Sequence, residues 1–223
     1  MTAIVGSGIV VRRGGRAVLD GVDVTVTPGA VTGVLGPSGA GKTTLLRVLA
    51  GLVPVDGGTV DHGGGAGYPE PGTVALLAQH PRTVCNPRWS LADVIDEPRR
   101  IAGTPRDAGL VQEAANRAGL DPVLLQRFPS QVSDGQLQRA CLARILVQQP
   151  RFVLADEPVA MLDPVTARAV LRVLDALTAA GTGLALVSHH ERLVRNRAST
   201  VVRLQSSGAT STETSIDDPR ESV

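Results

Sequence analysis

The sequence has only two cysteines, almost no net charge and no long apolar run, and each of these absences excludes a class of protein. Cys85 and Cys141 form neither a disulfide framework nor a metal-ligand spacing, so we expect reduced, packed thiols. A formal net charge of +1 gives no electrostatic reason to expect nucleic acid or an anionic membrane surface as a partner. No apolar stretch approaches the roughly 20 residues of a membrane-spanning helix.

The length of the chain and its N-terminal residues bear on the number of domains and on the expected location of the protein. At 223 residues the chain can form one large domain, or one domain with a subdomain. The segment 1–13 lacks the basic-then-apolar order of a secretory signal. We therefore expect a cytosolic chain, which reaches the cytoplasmic face of a membrane only through a partner.

The strongest positive feature is the run GPSGAGKTT, which has the pattern of a phosphate-binding loop. Its glycines let successive backbone N–H groups curl around a polyphosphate. Lys42 can reach the β- and γ-phosphates, and Thr43 offers a hydroxyl to Mg²⁺. An ordinary glycine-rich turn is the alternative, but it does not explain the strand predicted at 31–35 and the helix predicted after the loop. The predicted nucleotide-binding residues here are Gly36, Pro37, Ser38, Gly39, Ala40, Gly41, Lys42, Thr43 and Thr44.

The rest of the chain alternates strand and helix patterns, which favours an α/β protein with a mostly parallel sheet. Residues 1–35 predict an N-terminal antiparallel β-subdomain, and 53–72 predict hairpins and loops. Buried strands are expected at 73–79, 152–156 and 184–188. A helical subdomain is expected at about 82–148, with helical spacing at 91–96, 107–118 and 122–127. The domain is predicted to span 1–205, and the polar residues 206–223 are predicted to be disordered.

Two acids follow one of the predicted strands. Asp156 ends the run FVLAD, and an acid at the carboxyl edge of a strand can hold Mg²⁺ beside a phosphate loop. Glu157 comes next, where it can orient or deprotonate an attacking water. A solvated loop acid is the alternative for Glu157.

Two predicted helices begin with capping residues. Ser133 and Gln136 fit the S-x-x-Q capping box of an ordinary helix start. Gly135, in the first turn, lowers helix stability and so suggests close approach by another group to a helix end that favours anions. Asp163-Pro164 predicts a second start, with a capping carboxylate and a proline at the first helical position.

In order along the chain, these motifs resemble the ATP-binding subunit of ABC transporters over about residues 4–205. The motifs that carry the resemblance are the loop at 36–43, Gln79 after a strand, VSDGQLQR at 132–139, FVLADEP at 152–158, MLD at 161–163 and VSHH at 187–190. The combination is specific, although any motif besides the first would be weak alone. The fold implied is a P-loop NTPase with a parallel core sheet, an antiparallel β-subdomain and a helical subdomain.

The resemblance also implies a head-to-tail dimer with two ATP molecules sandwiched between the subunits. Lys42 and Thr43 would then act on the nucleotide of their own subunit. Ser133, Gly135 and Gln136 would complete the site of the partner subunit. The implied partners are this second ATP-binding subunit, identical or different, a transmembrane permease and, indirectly, a solute-binding protein.

Further roles follow from the same resemblance. Glu157 would be the catalytic base, and Asp156 would hold Mg²⁺. Gln79 would sense Mg²⁺ and water and couple the site to the helical subdomain. Asp163 would communicate across the dimer, and His189 would contact the γ-phosphate. For the remaining histidines an ordinary buried or surface role is the favoured interpretation.

A narrower resemblance is carried by the stretches at 79–101 and 124–146. They are similar to the ATPases of dipeptide, oligopeptide and nickel importers, in which the N-P-R and E-P-x-R elements contact the membrane partner. The implied function is ATP-driven solute uptake of the peptide or nickel type. Generic helical-subdomain residues are the alternative interpretation of these stretches.

The chain departs from the family pattern at several positions. The signature usually reads L-S-G-G-Q, and Val132 and Asp134 differ from it. Asp134 favours the helix dipole but places a negative charge near the expected position of the partner's γ-phosphate. No aromatic residue precedes the first strand pair, where adenine usually stacks, and His190 replaces an acidic residue.

These departures keep a second function open. The alternative is a non-transport ATPase that acts as an assembly or regulatory switch in a soluble complex, as in phosphonate-degrading machinery. A P-loop small-molecule kinase is more distant, because it would leave the stretch Ser133–Arg139 and His189 without a purpose.

Overall fold

Short apolar runs become fully buried strands in the computed structural model, which describes residues 2–63, 67–160, 162–205 and 210–214. The chain divides into two compact units, Met1–Pro69 with Gly183–Val223, and Glu70–Thr182. Strands β3 (Val31–Leu35) and β7 (Gly183–Val187) of the first unit are buried at every residue, as is β6 (Phe152–Asp156) of the second. Such runs are typical of parallel sheets that are covered on both faces.

The first unit contains an antiparallel sheet and a mostly parallel one. In the antiparallel sheet, β1 (Ile4–Arg13) pairs with β2 (Arg16–Val26) on one side and with β4 (Gly57–Asp61) on the other. In the parallel sheet, β3 lies between β7 and β8 (Thr200–Leu204). Helices α1 (Lys42–Leu49) and α6 (Glu191–Arg195) follow β3 and β7 along the chain. The predicted β-subdomain and parallel sheet are confirmed.

The described residues of the second unit form a parallel strand pair and four α-helices. Strand β5 (Val74–Leu77) pairs in parallel with β6, with Val74 opposite Phe152. The helices are α2 (Leu91–Ile101), α3 (Ala108–Arg117), α4 (Asp134–Gln148) and α5 (Pro164–Ala179). This unit is wider than the predicted helical subdomain at 82–148, because it includes both strands and α5.

Helix α4 is the core element of the second unit. It packs against α2, α3 and β5, so apolar residues on most of its circumference are buried rather than those on a single stripe. Its buried residues are Leu137, Gln138, Ala140, Cys141, Leu142, Ala143, Ile145, Leu146 and Val147. Cys141 lies 3.4 Å from Cys85, sulfur to sulfur, and both thiols are free and buried, as packed cysteines are expected to be.

Two predictions of local structure differ from the observed chain. The helix predicted at 122–127 is only a single 3₁₀ turn, Pro122–Leu124. Beyond this turn the carbonyls of Leu125 and Arg127 accept hydrogen bonds from the N–H groups of Ala92 and Leu91 of α2 instead of continuing a helix. Within the tail predicted to be disordered, Thr210–Thr214 forms strand β9, which pairs antiparallel with β8. Backbone pairing does not require apolar side chains, and threonine favours strands; residues 206–209 and 215–223 lie outside the described residues.

Helix length bears on the membrane question. The longest helix of the described residues, α5, has 16 residues. Within the described ranges, no helix has both the length and the apolar character that crossing a bilayer requires.

Candidate functional site

The predicted site residues are distributed over both units. The phosphate-loop residues and His189 belong to the first unit. Gln79, Ser133, Asp156, Glu157 and Asp163 belong to the second.

The phosphate loop connects β3 to α1, as predicted, and its backbone requires glycine. Gly39 and Gly41 have φ angles of 80° and 91°, in the left-handed region that side chains rarely adopt. A Cβ atom on Gly41 would lie 2.8 Å from the carbonyl oxygen of Val18, so the loop also excludes a side chain by close packing. The glycine pattern is therefore a requirement of the loop's shape.

Helix α1 starts at a glycine. Gly41 is its N-cap residue and has no side chain that could cap the helix by a hydrogen bond. The first-turn N–H groups of a helix have no intrahelical acceptor, so this end favours an anion. Lys42 adds a positive charge, and its ammonium donates hydrogen bonds to the carbonyls of Gly36 at 2.8 Å and Pro37 at 2.9 Å. The loop thus has the shape and the charge of a phosphate-binding site.

The two acids lie at the carboxyl end of β6, as predicted. Asp156 is the last residue of the strand and is 6% exposed. Glu157 is 9% exposed and has a φ angle of 47°. A non-glycine residue in this region is strained, by about 1–3 kcal/mol in typical cases, and such strain is most often found at functional positions. The turn after β6 therefore holds the Glu157 backbone in a defined, unfavourable conformation.

Three of the predicted functional stretches meet at one pocket of the second unit. The pocket brings Gln79 of the stretch after β5 together with Glu157 of the turn after β6 and with the start of α4. Its lining residues are Gln79, His80, Pro81, Asp134, Gln138, Glu157, Pro158, Ala160 and Leu162. Sequence reasoning placed Gln79 and Glu157 at the site but missed Gln138.

Gln138 links two of these stretches. Its side-chain amide lies 3.4 Å from the carbonyl of Ala78 and 3.5 Å from that of Pro158, the residues next to Gln79 and Glu157. Gln138 is 3% exposed, and its Oε1 atom has no hydrogen-bond partner among the described residues. The S-x-x-Q pattern directs attention to Gln136 instead, because only capping leaves a signal in the local sequence.

The start of α4 is closed by its own side chains. Ser133 accepts a hydrogen bond from the Gln136 N–H at 3.2 Å, and the Gln136 side chain accepts one from the Ser133 N–H at 2.9 Å. The predicted capping box is therefore confirmed. Since Ser133 accepts from Gln136, its own O–H remains able to donate. A Cβ on Gly135 would lie 3.4 Å from Leu162, so the close approach expected at this glycine is only an ordinary contact within the chain.

Asp163 caps α5, as predicted. Its Oδ1 accepts hydrogen bonds at 3.0 Å from the N–H groups of Val165 and Thr166. Hydrogen bonds from Thr166 hold the pKa of Asp163 below its ordinary value. Arg139 of α4 donates to the Thr166 hydroxyl, so a chain of polar contacts joins α4 to the cap of α5.

His189 lies in the turn between β7 and α6 and is exposed. Its ring centroid is 4.0 Å from that of His190, and the His190 N–H donates to the buried Ser188 hydroxyl at 3.1 Å. The turn is thereby fixed at its base while the His189 ring stays accessible to solvent.

The residues present fit Mg²⁺ only together with a nucleotide. Among the described residues no three His, Cys, Asp or Glu side chains converge on a possible metal position. In nucleotide sites Mg²⁺ commonly takes one or two protein ligands and completes its shell with phosphate oxygens and water. The hydroxyl of Thr43 and the carboxylate of Asp156 are groups of the kind that such an ion binds.

Comparison with known proteins gives the family. The ABC transporter family profile matches residues 19–160. The chain is 36% identical over 213 residues to the nickel import ATP-binding protein NikE of Pseudomonas putida, covering 88% of this chain and 77% of that protein. The chain therefore belongs to the ABC transporter family, as an ATP-binding domain.

Another relative carries a different solute in its name. The chain is 40% identical over 160 residues to the aliphatic sulfonates import ATP-binding protein SsuB 1 of Pseudomonas fluorescens, covering 70% of this chain and 54% of that protein. The chain spans about half the length of several of its curated relatives. The likeness to a nickel importer is thus shared with relatives of other specificity.

Solved structures share the fold. The ATP-binding cassette MJ0796, solved as a dimer in a post-hydrolysis state bound to ADP and Pi, aligns with a TM-score of 0.84 at 21% identity. The alignment covers 95% of this chain and 98% of that one. The expected fold class is confirmed.

Proposed function

We propose that this chain is the ATP-binding and ATP-hydrolysing subunit of an ABC importer, in which ATP-driven closure of a dimer powers solute uptake through a membrane permease. The observation that carries the proposal is the glycine loop that leads into α1, with Gly39 and Gly41 in the left-handed region and Lys42 as the first residue of the helix. Family membership and relatives named as import proteins support the coupling to transport.

The proposed chemistry assigns one task to each group. The loop and Lys42 bind the phosphates of MgATP, and Thr43 and Asp156 hold Mg²⁺, which offsets the charge that develops during phosphoryl transfer. Glu157 orients or deprotonates the attacking water. His189 contacts the γ-phosphate, and Gln79 responds to Mg²⁺ and water.

The proposed dimer joins two incomplete sites. Ser133, Gly135 and Gln136 of one subunit complete the nucleotide site of its partner, and Asp163 contacts the partner subunit. The cassette MJ0796, which shares the fold, was solved as a dimer, and this supports dimerisation. The free O–H of the capping Ser133 is suited to donate to a phosphate oxygen.

The finer proposal concerns the solute. The elements Asn86–Arg88 and Glu97–Arg100 favour a permease of the peptide or nickel type, and the nickel-import relative supports it. Arg100 of the second element lies 4.5 Å, guanidinium carbon to ring centre, from Trp89, the residue that follows the first element. Co-purification of the permease and uptake assays with nickel and with short peptides test this choice. If the transporter takes up neither nickel nor short peptides, the choice is contradicted.

The proposed activity is tested by two variants and a matched control. Glu157→Gln should bind MgATP but hydrolyse it at least ~100-fold more slowly, because it removes the proposed base, and it should accumulate as a dimer. Glu113→Gln, an exposed residue of α3, should leave hydrolysis unchanged. Wild-type protein without ATPase activity, alone and with its permease, would contradict the proposal. Capture of a soluble enzyme complex in place of membrane proteins would support the non-transport switch.

A further inference from the structure

The N-terminus of α4 carries a charge that this position is not expected to tolerate. Asp134 is the first residue of α4, and its side chain is 52% exposed. It favours the helix dipole, but it also adds a negative charge next to Ser133. In the proposed dimer the triphosphate of the partner subunit approaches this end of α4, so an uncompensated Asp134 would repel it.

One guanidinium neutralises that charge. Arg82 Nε lies 2.6 Å from Asp134 Oδ1. The other two nitrogens of the same group donate hydrogen bonds to the carbonyls of Pro129 at 2.6 Å and Val132 at 2.8 Å. Arg82 therefore contacts the acid and the chain that leads into α4 at the same time.

This arrangement differs from an ordinary surface ion pair. Exposed pairs commonly contribute little, because two flexible side chains must be ordered for one contact. Arg82 is half exposed, but three contacts in different directions fix its planar group. Lysine could not reproduce these contacts, because its ammonium lacks the fork geometry.

We propose that Arg82 is a positioning residue that neutralises Asp134, so that the start of α4 can accept the triphosphate bound by the partner subunit. The inference rests on the proposed function, since it requires ATP-driven dimerisation. Arg82 and Asp134 then act as a unit that takes the place of the first glycine of the usual L-S-G-G-Q signature.

The test is a double-mutant cycle in the Glu157→Gln background, read as the ATP concentration that gives half-maximal dimer in sedimentation velocity. Arg82→Ala should raise this concentration about tenfold, because each of the two sites then holds an unpaired carboxylate facing a polyphosphate. Asp134→Ala combined with Arg82→Ala should return it to within about twofold of the parent, because the repulsion is gone. The Arg82→Ala defect should also shrink in about 0.5 M salt, where exposed charges are screened.

The matched control is Arg106→Ala. Arg106 forms a similar exposed pair with Asp93, at 2.9 Å, and its loss should leave the half-maximal ATP concentration unchanged. Thermal melting of each variant reports whether it is folded.

Two results separate the inference from the function on which it rests. A parent that stays monomeric in MgATP would overturn the proposed function and the inference with it. A parent that dimerises while Arg82→Ala has no effect, or while the double variant remains as defective as Arg82→Ala, overturns the inference alone. In the latter case Arg82 would act only through the carbonyls of Pro129 and Val132.

Discussion

The N-termini of α1 and α4 differ in the residues that lie at the first turn of each helix. Helix α1 follows Gly41, which has no capping side chain, and Lys42 is its first residue. At α4 the Gln136 N–H donates to the Ser133 hydroxyl, the Gln136 side chain accepts from the Ser133 N–H, and Asp134 is paired with Arg82. One helix starts with backbone and a lysine, whereas the other starts with side chains that contact one another.

The difference indicates how each end is specified. The shape of the α1 loop depends on its backbone, so the positions of its glycines largely determine it. The chain keeps every constrained position of the phosphate-loop pattern at 36–43. The α4 end depends on side-chain contacts, so a departure such as Asp134 is tolerated when another residue compensates for it. Departures from a signature therefore need to be interpreted together with their contacts.

The largest effect is expected from the charge of Lys42 at the start of α1. Lys42→Ala should weaken MgATP binding by at least ~100-fold, because it removes the cation nearest to the phosphates from a site built around it. Isothermal titration calorimetry measures the affinity. Arg47→Ala, an exposed residue of the last turn of α1, is the control and should bind normally. If Lys42→Ala and Arg47→Ala bound MgATP with equal affinity, the contrast drawn between the starts of α1 and α4 would be wrong.

A smaller effect is expected from the backbone of the same loop. Gly41→Ala should lower the free energy of unfolding by about 2 kcal/mol, because strain at a positive φ adds to a clash with Val18. Gly103→Ala has a φ of 69° but no atom within 4 Å of the new Cβ, so it should cost only about 1 kcal/mol. Urea unfolding measures both. An unfolding free energy unchanged by Gly41→Ala contradicts a loop shaped by its glycines.

The serine capping boxes at the starts of α2 and α4 allow a matched comparison. Ser133→Ala and Ser90→Ala each remove the capping hydroxyl of a box, and each should destabilise the protein by about 1 kcal/mol. Only Ser133→Ala should also weaken ATP-dependent dimerisation, because only its O–H is proposed to meet a phosphate. If both variants dimerise equally well, the capping role of Ser133 is its whole role.

The smallest effect concerns the cap of α5. The pKa of Asp163 is lower in the folded protein than its ordinary value of 3.8. The ionised side chain therefore stabilises the folded protein at pH values above 3.8, and this contribution is lost as the pH falls through the lower, folded-state pKa. The melting temperature of Asp163→Ala should therefore lie below that of the wild type at neutral pH, and the difference should narrow as the pH falls below 3.8, because the protonated carboxyl group accepts weaker hydrogen bonds. Asp163→Asn keeps a capping oxygen without the titration and serves as the control. A gap that is independent of pH would contradict the assignment.

Local patterns predicted the local structure well. Strand β6 has the predicted bounds, and β7 differs by one residue at each end. The predicted caps at Ser133 and Asp163 follow directly from short-range residue patterns. The helix expected at 122–127 was wrong because the carbonyls of Leu125 and Arg127 pair with the start of α2, a contact that apolar spacing does not reveal.

Contacts between distant segments could not be predicted in this way. Nothing in the spacing of Cys85 and Cys141, or of Arg82 and Asp134, indicates that these pairs are adjacent. The packing of α4 brings both pairs together, and packing leaves no periodic signal in either partner. The functional roles of the site residues stay predictions. Local patterns indicate those of the phosphate loop and of the two acids after β6, whereas those of Gln79, Asp163 and His189 depend on family membership.

Mixing two defective chains tests the central claim most directly. Lys42→Ala lacks a working phosphate loop, and Ser133→Glu lacks a working α4 start; each should have little ATPase activity alone. In a head-to-tail dimer of the two, one site combines an intact loop with an intact α4 start. We predict that the mixture hydrolyses ATP well above the sum of the separate chains. A mixture no more active than that sum, with both variants folded, would contradict the claim that the two helix ends act on one ATP from different subunits.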